Sequence, residues 1–253
     1  MTTNGGTPTS SFGWRNTSFR NALGKWGEGV LSLLFPPSCV LCDRPCEGLE
    51  PVCPDCAAQL PQLEGPRCYI CQEELTDPSL DLCAICGTRQ RGFDLARALG
   101  PYDSGWGTLI RELKFNKEPA IARFLASKLA EYVQREKPFE NIDIITYVPM
   151  TEADRRARGF NQAQMLTRGL GRKLGLPVRK LLAKARQTKA QVDLPASERR
   201  KNLRGAFEVV TSGQGAVLIV DDIFTTGSTV DECARALKIG GYARVYVLTV
   251  ARA

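Results

Sequence analysis

The chain has 253 residues, 43% of them hydrophobic and 24% charged, which is enough for a substantial buried core and excludes collagen-like and wholly disordered classes. It carries 34 Lys and Arg against 27 Asp and Glu, a formal charge of +7, and no histidine. Mechanisms that need an imidazole base, and metal sites of mixed Cys/His type, are therefore excluded.

Apolar runs such as Val217–Val220 fall far short of the roughly 18 residues a membrane span requires. The N-terminus shows neither a basic leader nor a small-residue cleavage site, so a cytoplasmic location is expected. Residues 1–20, rich in Gly, Ser, Thr and Asn, read as a flexible tail. Across residues 21–37, Leu23, Trp26, Val30, Leu31, Leu33 and Leu34 recur near helical spacing until Pro36 and Pro37 stop the pattern. A short amphipathic helix is expected there. Its polar face has few basic residues, which favours packing against the protein over a membrane-surface anchor.

Residues 38–90 have Cys, Pro and Gly in place of long periodic segments, the reading of a metal-organised unit. From residue 91 to 253 extended and amphipathic segments alternate. Strands are expected at Ala96–Tyr102, Ile142–Val148, Val217–Val220 and Arg244–Val250. Helices are expected at Trp106–Phe115, Ala120–Arg135, Asn161–Leu174 and Thr229–Ile239. Apolar strands interleaved with helices predict an α/β domain with a mostly parallel sheet covered on both faces. The segment from Lys184 to Arg204 is basic, polar and interrupted by Pro195, and reads as a loop.

Nine of the ten cysteines lie between Cys39 and Cys86, eight of them in four CxxC pairs: Cys39 and Cys42, Cys53 and Cys56, Cys68 and Cys71, Cys83 and Cys86. Two such pairs complete a tetrahedron of thiolates around one ion, so four pairs imply two structural zinc sites, with iron–sulfur as the main competitor. Sequential pairing needs only short loops and is preferred to an interleaved cross-brace. Cys46 is left as a spare thiol. Each tetrathiolate zinc site contributes a formal −2, which would bring the net charge to about +3. The basic excess is local: Thr151 to Gly205 holds 15 Lys and Arg against four Asp and Glu.

The most informative segment runs Val217-Leu-Ile-Val-Asp221-Asp222-Ile-Phe-Thr225-Thr226-Gly227-Ser228-Thr229 and leads into an amphipathic helix. A buried strand delivers Asp221 and Asp222 to the C-terminal edge of a parallel sheet, where open α/β folds bind ligands. The hydroxyl-rich turn of Thr225, Thr226, Gly227, Ser228 and Thr229 can surround a phosphate at a helix N-terminus, while the carboxylates suit sugar hydroxyls or Mg²⁺. A ribose 5-phosphate moiety is the ligand that satisfies both. Neither a GxGxxG nor a GxxxxGK[ST] pattern occurs.

This thirteen-residue pattern resembles the signature of type I phosphoribosyltransferases, which bind 5-phosphoribosyl 1-pyrophosphate (PRPP). Pro149, Arg155-Arg156-Ala-Arg158-Gly159-Phe160-Asn161-Gln162, Arg199-Arg200-Lys201-Asn202-Leu203-Arg204-Gly205-Ala206-Phe207, the cysteine pairs and the final Ala251-Arg252 extend the resemblance, over residues 30 to 253, to the ComF family of competence-associated proteins. That resemblance implies a double zinc ribbon ahead of a type I phosphoribosyltransferase-like sheet, and a link to DNA uptake. It implies Asp221 and Asp222 at the ribose hydroxyls, directly or through magnesium, and Thr225 to Thr229 at the 5-phosphate. Arg158, Gly159 and Asn161, after the strand Ile142–Val148, are candidates for pyrophosphate, and the Lys184 to Arg204 loop would close over the ligand. The basic residues also permit a second reading, a non-catalytic module that senses PRPP or binds single-stranded DNA or DNA-uptake proteins. Dimers are common in that fold class, which leaves a homodimer open. Lys114, in Leu113-Lys-Phe115, matches a recurrent basic position of the family, a resemblance that implies a place near the active-site entrance, yet from its place in the sequence alone it reads as a solvated lysine at a helix end.

Overall fold

The computed structural model describes residues 38–46, 48, 50–116, 118–185 and 205–253. The helix expected across 21–37, and the basic loop from residue 186 to 204, lie outside the described residues. Two short helices, α1 (Pro54–Ala58) and α2 (Ala84–Thr88), follow cysteine knuckles. Then come β1 (Leu95–Pro101), α3 (Gly105–Asn116), α4 (Pro119–Glu136), β2 (Ile142–Tyr147), α5 (Glu152–Arg158), α6 (Gln162–Leu174), β3 (Leu182–Lys184), β4 (Phe207–Val209), β5 (Ala216–Phe224), α7 (Ser228–Ile239) and β6 (Arg244–Arg252). Among the described residues no helix is long and apolar enough to cross a membrane.

The main sheet has the order β1-β6-β5-β2 and is parallel throughout, as its buried apolar strands predict. Beyond β2, Ile145 forms a further parallel bridge with Val178. The chain thus leaves β2 through α6 and returns beside it at Val178, on one side of β2. It next runs through the antiparallel β3–β4 pair and enters β5 on the other side of β2. Right-handed crossovers in opposite directions put their helices on opposite faces of a sheet. Accordingly Leu166 and Leu170 of α6 belong to one core with Leu218 and Val220 of β5, and Val230, Cys233 and Leu237 of α7 to the other with Val217 and Ile219. The direction reverses between β2 and β5, which opens a crevice at their C-terminal ends.

Each face also takes up one cysteine-rich loop system. Cys39, Val52 and Cys53 join the core built on α3 and α4, and Trp106 Nε1 donates to Pro61 O at 2.8 Å. Cys68, Cys71, Leu75, Cys83 and Cys86 join the core under α7. Fully buried side chains such as Leu109, Leu113, Leu125 and Leu166 each contribute about 2 kcal/mol of burial, and the small cysteine-rich loops share in it.

The second loop system is also tied on by polar contacts. The Ala96 backbone N–H donates to Ile70 O at 2.8 Å and that of Ala98 to Gln72 Oε1 at 2.6 Å. Asp231, 1% exposed in the first turn of α7, accepts the Gly92 N–H at 2.6 Å and pairs with Arg89, with Arg235 at 3.6 Å. Asp231→Ala would strand the Gly92 N–H and uncouple two guanidinium groups. A stability loss of about 3 kcal/mol is expected in urea titration, and a loss below ~1 kcal/mol would contradict this account.

Candidate functional site

The strand β5 extends through Phe224, farther than its apolar run predicts, so Asp221 and Asp222 are strand residues. Consecutive strand residues take opposite faces of a sheet, and the two carboxylates are therefore not equivalent. Asp222, 6% exposed, lies on the face covered by α3 and α6: its Oδ2 forms an ion pair with Lys114 Nζ, and its Oδ1 accepts from Gln162 Nε2 at 3.5 Å. Asp221 turns its Oδ1 to the Asp222 backbone N–H at 2.9 Å.

Burial, then the neighbouring Asp222 charge, push the Asp221 carboxyl well above the usual carboxylate range. Burial works the same way on Asp222. There the Lys114 charge, with hydrogen bonds from Asp221, Lys114 and Gln162, outweighs it and holds the group below its ordinary value. Asp222 is thus the ionised member of the pair, and Asp221 keeps its proton to higher pH. Lys114, expected as a solvated helix-end lysine, is a partner of this pair instead, because it lies one turn beyond the buried Ile110 on α3, at the edge of the core-facing stripe.

The turn after β5 is built on Gly227, whose φ of +71° favours glycine and which serves as N-cap of the 12-residue α7. A Cβ at Gly227 would run into the Phe224 ring beneath it. That ring is itself braced: the Arg252 guanidinium lies 4.8 Å from its centroid, and Phe93 meets it edge-on at 6.0 Å. Arg252 also donates to Cys71 O at 2.7 Å and pairs with Glu73. Above this floor, the Thr226 and Ser228 hydroxyls are 2.8 Å apart and the Ser228 N–H faces Thr226 Oγ1 at 3.3 Å, while Thr225 is exposed and Thr229 half-buried. The first-turn N–H groups of α7 put the positive end of its dipole at this turn.

Across the crevice, the segment after β2, for which the sequence predicted no helix, forms the seven-residue α5. Thr151 Oγ1 caps it by accepting the Asp154 N–H at 3.0 Å, and Arg155 pairs with Glu152 at 2.7 Å. Gly159, φ +84°, ends it. Asn161 is buried and its side chain is fully engaged: Oδ1 accepts the Gln164 N–H at 3.1 Å as N-cap of α6, and Nδ2 donates to Val148 O at 3.1 Å. Arg158 Nη1 donates to Gln162 Oε1 at 3.0 Å. Gln162 therefore links Arg158 to Asp222 across the crevice. Sequence reasoning gave no role to Gln162, Asp231 or Arg252. For Gln162 the available signal was its place at the end of the Arg155 to Gln162 motif.

The cysteines gather as two sequential sets, Cys39, Cys42, Cys53 and Cys56, and Cys68, Cys71, Cys83 and Cys86, with sulfurs within 4.8 Å of one another in each. The Cys42 and Cys53 sulfurs are 3.7 Å apart, as are those of Cys71 and Cys83. A tetrahedron with metal–sulfur bonds of about 2.3 Å has edges of about 3.8 Å, so both sets fit zinc. Leu41 and Cys53 N–H groups point at Cys39 Sγ at 3.4 and 3.3 Å, the donors that a thiolate ligand takes. Arg44, beside Cys42, draws that thiol down to about 6. Cys46 stands outside both sets.

Residues 30–88 match the family model of the double zinc ribbon domain. Competence protein F of Haemophilus influenzae is 30% identical over 210 residues, covering 80% of this chain and 90% of its own. The DNA utilization protein YhgH of Salmonella typhimurium is 32% identical over 229 residues, covering 87% and 99%, and competence protein ComFC of Bacillus subtilis is 24% identical over 199, covering 77% and 80%. Among solved structures, glutamine PRPP amidotransferase from B. subtilis aligns over 54% of this chain and 29% of its own at 19% identity and a TM-score of 0.35. Adenine phosphoribosyltransferase from Leishmania tarentolae aligns over 56% and 59% at 12% identity and a TM-score of 0.33.

Two measurements probe these sites. Elemental analysis of the purified protein is expected to give two zinc ions per chain, and Cys83→Ser one; an unchanged count would remove the second site. For Asp221, a raised native pKa means that stability present below about pH 4, the unfolded value, is lost as pH rises through the native value. Asp221→Asn removes that loss. The variant is expected to melt a few degrees above the wild type at pH 7, a difference on the order of 1 kcal/mol, and the gap should close near pH 4.

Proposed function

The chain belongs to the family of competence protein F and the YhgH DNA utilization proteins, and from that premise we propose that it binds PRPP in the crevice between the ends of β2 and β5. The observation that carries this reading is the pairing, at one sheet edge, of the braced Gly227 turn with the ionised, buried Asp222. The turn of Thr225, Thr226, Gly227, Ser228 and Thr229 takes the 5-phosphate on hydroxyls and helix N–H groups. Asp222 accepts from a ribose hydroxyl, and the protonated Asp221 supports it through the strand. Arg158, half-buried and oriented by Gln162, faces the pyrophosphate with the backbone at Gly159. Asn161 positions these groups as a cap and does not itself touch the ligand.

In the transfer reaction the bond between C1 and pyrophosphate oxygen breaks as an acceptor attacks C1, with positive charge developing on the sugar. Stabilising spread charge calls for positioned ions rather than an imidazole base, which suits a chain without histidine. Magnesium, when bound with the ligand, supplies neutralisation of the departing pyrophosphate. The protein's part is to seat the phosphate, aim the diol and meet the leaving group with Arg158. The eight clustered thiols need a reducing compartment to stay metal ligands, which supports a cytoplasmic location.

A second reading rests on α5, whose Arg155 and Arg156 are exposed, and on the printed names of the relatives: PRPP acts as a signal, and single-stranded DNA is the partner. One experiment separates the two. PRPP with Mg²⁺ is titrated calorimetrically, and pyrophosphate release is followed with nucleobases, amines and single-stranded DNA. Micromolar binding that weakens at least tenfold in Asp222→Ala is expected. Release dependent on one acceptor supports transfer; salt-sensitive DNA binding without release supports the second reading; and no PRPP binding overturns the first reading and the PRPP-sensing form of the second.

A further inference from the structure

The Asp222 carboxylate has a resident cation. Lys114 and Asp222 side chains are 21% and 8% exposed, and the Lys114 ammonium is paired with Oδ2. The other oxygen accepts the long contact from Gln162. A hard divalent cation needs carboxylate oxygens with open lone pairs, and Asp222 has given one of its oxygens to Lys114. Lys114 arrives from the end of α3 on a flexible stem, so it can leave without moving the helix core.

We propose that Lys114 is an internal substitute for the divalent cation. It neutralises Asp222 in the ligand-free chain, excludes free Mg²⁺ or Mn²⁺ from this edge, and swings off Asp222 to the diphosphate of an arriving sugar. This deepens the PRPP reading and rests on it for the last step only. The metal then enters with the ligand and not ahead of it. Lys114 is a specificity element in this scheme, because a ligand must carry enough negative charge to draw the ammonium away.

The test uses the full chain with its zinc sites loaded, at pH 8, and follows Mn²⁺ binding by electron paramagnetic resonance without PRPP. Wild type and Lys114→Arg are expected to show no saturable site below millimolar Mn²⁺. Lys114→Met leaves Asp222 without its partner and is expected to bind Mn²⁺ at least tenfold more tightly, a gain abolished in Lys114→Met with Asp222→Asn. Thermal melts confirm folding, and Lys114→Gln serves if the methionine variant does not fold. Equal Mn²⁺ binding by wild type and variant, or a gain that survives Asp222→Asn, overturns the proposal. PRPP titration of the wild type is a separate arm. If PRPP fails to bind while the Mn²⁺ gain appears, the cation role stands and the PRPP reading falls.

Discussion

The approach of Gly227 to the Phe224 ring is the contact on which the site depends. A turn that opens a helix with exposed N–H groups is costly to hold in one shape, since its backbone polar groups gain little from neighbouring protein. Here the shape is set from below. The outer end of the Phe224 ring comes so close that only a residue without a Cβ fits at 227, and Arg252 lies over that ring while bonding to Cys71 O and Glu73. The second cysteine set is thereby part of the mounting of the turn. The first set, packed with α3 and Trp106 on the opposite face, has no such contact among the described residues.

Electrostatics at the crevice follows from the same packing. Two adjacent carboxyls in a buried strand repel each other and lose hydration, and both effects favour protonation. One oriented ammonium is enough to decide which of them ionises, because in partly buried surroundings an ion pair outweighs a hydrogen bond to a neutral group. Lys114 and Gln162 both bond Asp222, whereas at Asp221 the Lys114 charge is outweighed by burial and by the Asp222 charge. The asymmetry between two chemically identical neighbours is thus produced by the face of the sheet each one occupies.

Much of this was legible in the sequence. The parallel α/β sheet, the grouping of the cysteines and the position of the turn at a strand edge follow from periodicity, from CxxC spacing and from the Thr225 to Thr229 composition. What periodicity does not encode is contact between distant segments. Asp231 looks like a helix-surface acid until the chain after Cys86 packs on it, and Arg252 looks like a terminal basic residue until the second cysteine loop reaches it. The helix α5 was missed because its support is a local cap and one ion pair within seven residues, with no apolar stripe to reveal it.

The register of the edge strand has a consequence for how the molecule is made. Leu95 and Ala96 pair with Tyr246 and Val247, so β1 leaves the ribosome long before its partner exists. At about 5–20 residues per second, that strand waits on the order of ten seconds or more for its neighbour. During this interval the Ile70 and Gln72 acceptors upstream, already synthesised, are the partners that β1 uses in the folded chain. A chain lacking Arg252 would leave the Phe224 ring under the Gly227 turn without its guanidinium partner.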